Sequence, residues 1–167
     1  MGADVRLWAL LLTSRLRRGN KRYEAVAEEA TARAADLAER VMAQERKALD
    51  TEGLADLIDD RTMLSIELQF LWGLFHEFVQ EYPELPTSGF DRIKLHLIGR
   101  LVHAHSYSLW AARDEANAVE DLYNKADELF EAISGLGKQA YRDARPGHLC
   151  TVVKVLHEDR VLDQGNE

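Results

Sequence analysis

Residues 61–82 read RTMLSIELQFLWGLFHEFVQEY. Wound as an α-helix, the stretch carries Met63, Leu64, Leu68, Phe70, Leu71, Trp72, Leu74, Phe75, Phe78 and Val79 around most of its circumference. A helix that is apolar nearly all round belongs at the centre of a bundle, because no face is left for water. Gly73 lies inside it, where glycine costs up to about 1 kcal/mol against alanine. Its presence predicts that another element packs closely there. Asp59 and Asp60 stand ready to cap the start, and Pro83 and Pro86 close the end.

Outward from this centre the pattern stays helical. Upstream, a helix is expected over about Lys21–Leu49, with Tyr23, Val26, Ala30, Ala34, Leu37 and Val41 at spacings of three and four. Two of those six are alanine, Ala30 and Ala34, which lets a neighbour approach closely. Charged residues fill its other faces and read as solvated. Asp50-Thr51-Glu52-Gly53 is a cap and turn signal. A short helical piece is expected at Leu54–Ile58. A first helix over Ala3–Arg17 places Val5, Trp8, Leu12 and Leu16 near one stripe, and Gly19-Asn20 stops it. It is expected to dock on the bundle, and a short helix bearing a tryptophan could also clasp a partner.

Downstream, Thr87-Ser88-Gly89 opens a helix whose stripe is Phe90, Ile93, Leu97, Leu101 and Ala104. His105-Ser106-Tyr107-Ser108 interrupts it. A long helix is then expected over Leu109–Ser134, with Val119, Leu122, Tyr123, Ala126, Leu129, Phe130 and Ile133 as its stripe. Gly135-Leu136-Gly137 reads as its terminator. The tail holds both a helical stripe and the strand-prone run Val152-Val153-Lys154-Val155. With no other strand candidate in the chain, it is read as a short helix.

The expected fold is all-α: an up-and-down bundle of four long helices with a docked N-terminal helix and a short C-terminal tail. Residues 1–167 make one domain, with 1–18 as the docked helix, 20–134 as the bundle and 135–167 as a C-terminal extension. A chain of 167 residues can bury roughly 70% of the surface its unfolded form exposes. Its 46% hydrophobic and 30% charged residues, with 10 Gly and 3 Pro, fit a helical globule and argue against disorder.

Composition also narrows the chemistry. A single cysteine, Cys150, excludes an intramolecular disulfide framework and a Cys-rich zinc site. The formal charge of -8 argues against a broad nucleic-acid footprint or an anionic membrane surface. The six-residue run Leu7–Leu12 is too short to span a bilayer or to form a signal-peptide core, so a cytoplasmic location without membrane contact is expected. No phosphate-binding glycine loop, Cys-x-x-Cys or His-Glu-x-x-His is present. None of the six histidines follows a glutamate by three residues, which removes the di-iron bundle pattern. A histidine-based metal site at His76, His96 and His103 stays open as an alternative. No cofactor is expected.

One segment stands apart: Arg100-Leu101-Val102-His103-Ala104-His105-Ser106-Tyr107. It resembles the Arg-x4-His motif of the HEPN superfamily, the higher eukaryotes and prokaryotes nucleotide-binding domains. Arg100, Ala104, His105 and Tyr107 match the form Arg-x-x-x-Ala-His-x-Tyr, while the residue after the arginine, usually polar in that family, is Leu101. The order of long helices is compatible over about Lys21–Ile133. The resemblance implies metal-independent RNA cleavage of the kind found in toxin and defence systems, at a composite site across a homodimer cleft. His105 would be the acid–base group and Arg100 the phosphate clamp, with His103 and Tyr107 in support. It also implies an RNA substrate with a small, local footprint and a possible cognate protein partner. The alternative of a different class is a non-catalytic helical interaction or dimerisation module, which needs an exposed apolar patch and no convergent polar cleft.

Overall fold

The computed structural model describes residues 21–83, 85 and 109–164. Among these the architecture is all-α, with no strand. In chain order the helices are α1 (Lys21–Thr51), α2 (Asp60–Phe78), a 3-10 turn at Val79–Glu81, α3 (Leu109–Asn124), α4 (Glu128–Asp143) and α5 (His148–Gln164). The expected N-terminal helix and the Phe90–Ala104 helix lie outside the described residues.

α2 is the central helix. Met63, Leu64, Ile66, Leu68, Phe70, Leu71, Leu74, Phe75 and Phe78 are all buried. Asp59 caps it, its side chain accepting from the Thr62 N–H at 2.9 Å and from the Thr62 hydroxyl at 2.8 Å. The α-helix ends at Phe78 rather than at Tyr82. Its last turn tightens to 3-10 geometry ahead of Pro83, and the Tyr82 N–H donates to the Val79 carbonyl at 3.0 Å.

α1 buries the stripe Ala27, Ala30, Ala34, Ala38, Met42, Glu45 and Leu49, while Val26, Leu37 and Val41 flank it half-buried. Four of these seven buried residues are alanine. The helix ends in a Schellman motif: the Leu54 N–H reaches the Leu49 carbonyl at 2.9 Å, and the Gly53 N–H reaches Asp50 at 3.1 Å. Gly53 sits at φ +68°. Leu54–Ile58 is a turn rather than a short helix, anchored by the buried Leu54 and Ile58.

The expected long helix over Leu109–Ser134 is two helices. α3 stops at Asn124 in a second Schellman motif, with the Asp127 N–H on the Leu122 carbonyl and the Ala126 N–H on that of Tyr123, both at 3.2 Å. Ala126 takes the left-handed conformation at φ 51°, a position usually given to glycine. Asp127 then caps α4, accepting from the Phe130 N–H at 2.9 Å. Along the expected stripe, Val119, Phe130 and Ile133 are buried, but Tyr123 and Leu129 are each 47% exposed.

Gly135-Leu136-Gly137 is no terminator; it lies in mid-α4. There α4 crosses α2 with the backbones nearly touching. A Cβ on Gly73 would fall 1.8 Å from the Ser134 carbonyl oxygen, and a Cβ on Gly137 would fall 1.9 Å from that of Phe70. The tail is helical as expected, extends over 17 residues, and buries Leu149, Cys150, Val152 and Val153.

Candidate functional site

Arg100, His103, His105 and Tyr107 lie outside the described residues, as does His96. The described chain resumes with α3 at Leu109, two residues beyond Tyr107. His76 is exposed on α2. His148 is half-buried, with its ring centroid 6.4 Å from that of Phe70 and its Nε2 3.4 Å from Asp143 Oδ1. Among the described residues no three His, Cys, Asp or Glu side chains cluster as a metal site. No described helix is long and apolar enough to cross a membrane.

The polar chemistry in the described part centres on two buried carboxylates that the sequence reading did not single out. Glu67 is 1% exposed in the middle of α2. Arg46 of α1 grips both of its oxygens, Nε to Oε1 at 2.9 Å and Nη2 to Oε2 at 3.0 Å. Immediately before Arg46 on α1, Glu45 is equally buried. Its Oε1 accepts from the Gly147 N–H at 3.0 Å and its Oε2 from the Leu149 N–H at 2.9 Å. The carboxylate thus meets donors that the first turn of α5 leaves without helical acceptors, at the positive end of the helix dipole.

The signal for both residues was their register. Glu45 falls on the stripe that continues Ala38, Met42 and Leu49, and Glu67 interrupts a helix apolar all round. A third buried polar side chain, Gln69, donates to Ser65 Oγ at 3.3 Å, while its Oε1 has no hydrogen-bond partner among the described residues.

Cys150 is buried beside the same end of α5. Burial pushes its thiol pKa up, and the charges of Glu52 and Glu45 push it further. It is held as a thiol, the unreactive form. Lys154 pairs with Glu52, and that bond raises the lysine and lowers the glutamate.

A polar ridge joins α1, α2 and α4 on the surface. Arg33 donates to the Tyr82 hydroxyl, which raises the guanidinium pKa, and reaches Glu81 at 3.1 Å. The Tyr141 hydroxyl donates to the other oxygen of Glu81, and Arg142 grips Glu77 at 3.1 and 3.2 Å. Every charged group here faces an opposite charge or a hydroxyl, so the ridge fastens helices and presents no nucleophile with an adjacent base.

Searches against known protein families, curated proteins and solved structures give no match to this chain.

Proposed function

We propose that the chain is a HEPN-like helical domain that cleaves RNA without a metal ion. The observation that carries this reading is the segment Arg100-x4-His105-Ser106-Tyr107, set just ahead of the helix that opens at Leu109. An imidazole near neutral pKa suits proton transfer at physiological pH. His105 takes the proton from a ribose 2′-hydroxyl as its oxygen attacks the neighbouring phosphorus, or protonates the 5′-oxygen as it leaves. Arg100 holds the phosphate through paired N–H donors and stabilises the charge that develops on it. His103 and Tyr107 orient these groups. Two copies of the chain face each other, so that each cleft carries two such pairs. The charge of -8 restricts RNA contact to this local site.

The test is RNA cleavage by the purified chain in excess chelator, together with its mass in solution. Wild type should cleave as a dimer. His105→Ala should lose about 100- to 10,000-fold in rate, and Arg100→Ala should lose activity as well. Equal cleavage by wild type and His105→Ala removes the assignment.

A second reading, a non-catalytic interaction module, is favoured by the half-exposed Tyr123 and Leu129 on either side of the α3–α4 turn. It predicts no cleavage at all, with loss of partner binding in Tyr123→Ser or Leu129→Ser.

A further inference from the structure

No further inference is drawn: the strongest candidate, the surface patch at the α3–α4 turn where Tyr123 and Leu129 are each 47% exposed, carries no proposal, because nothing among the described residues shows what covers it.

Discussion

Arg46 and Glu67 form a two-pronged pair between α1 and α2, with one partner fully buried and the other 38% exposed at its side chain. Removing the arginine alone takes the two-pronged cation from a carboxylate in the core. Arg46→Met should cost about 3 kcal/mol, the lower end for breaking a buried pair from one side, since the arginine side is partly in water. The double variant Arg46→Met/Glu67→Met should recover most of that loss, because two apolar side chains of similar volume leave no charge to desolvate. Guanidinium midpoints of the wild type, both single variants and the double variant close the cycle. A double variant as unstable as the sum of the singles would contradict this account.

The crossing of α2 and α4 admits no side chain. Gly137→Ala and Gly73→Ala each put a methyl carbon within 2 Å of a backbone carbonyl oxygen on the other helix. Neither backbone can yield without parting the helices. Each substitution should cost at least about 2–3 kcal/mol, at the severe end of core overpacking. Gly135→Ala, on the open face of the same helix, meets nothing within 4 Å and should be neutral or slightly stabilising. Thermal melts of the three variants separate packing from helix propensity.

Two alanines hold left-handed backbone, Ala126 at φ 51° and Ala144 at φ 52°. Glycine takes that conformation without the Cβ clash but loses more freedom on folding. The first effect is larger, so Ala126→Gly and Ala144→Gly should each stabilise by about 0.5–1 kcal/mol. Destabilisation by either in a chemical melt would show that the corner does not need left-handed backbone.

Acid should loosen the α4–α5 corner. The Arg145 backbone N–H, donating at 3.1 Å, lowers the pKa of Asp143, and the bond to His148 lowers it further. A carboxylate depressed on folding adds stability that is complete above its unfolded value of about 3.9 and is lost as pH falls through the lower folded value. Asp143→Asn should therefore be less stable than wild type at neutral pH, and the gap should close below about pH 3.9. A difference that stays constant from neutral pH to about pH 2 would show that Asp143 acts through shape alone.

How far the sequence reaches is clearest at the helix ends and crossings. The apolar circumference of residues 61–82 determined that α2 is central, and Asp59 and Gly53 marked ends that the structure keeps, because caps and positive φ are local chemistry written in a few adjacent residues. Gly73 announced a close crossing, but the glycine that meets the other helix, Gly137, read as a stop. Locally, a helix terminator and a packing notch look the same, and only the approach of Phe70 tells them apart. The break at Ala126 was invisible because helical spacing runs straight through it and no glycine marks it; Asp127, a cap residue, was the one available hint. Arg100, His105 and Tyr107 were legible as a pattern of residue types and remain a reading of sequence. Glu45 and Glu67 were legible only as misplaced charges. Their partners sit 102 and 104 residues away for Glu45 and 21 for Glu67, and they acquire meaning only when folding brings donors to them. Periodicity and capping are short-range and survive in a one-dimensional string, whereas satisfaction of a buried charge is a long-range property that tertiary structure alone decides.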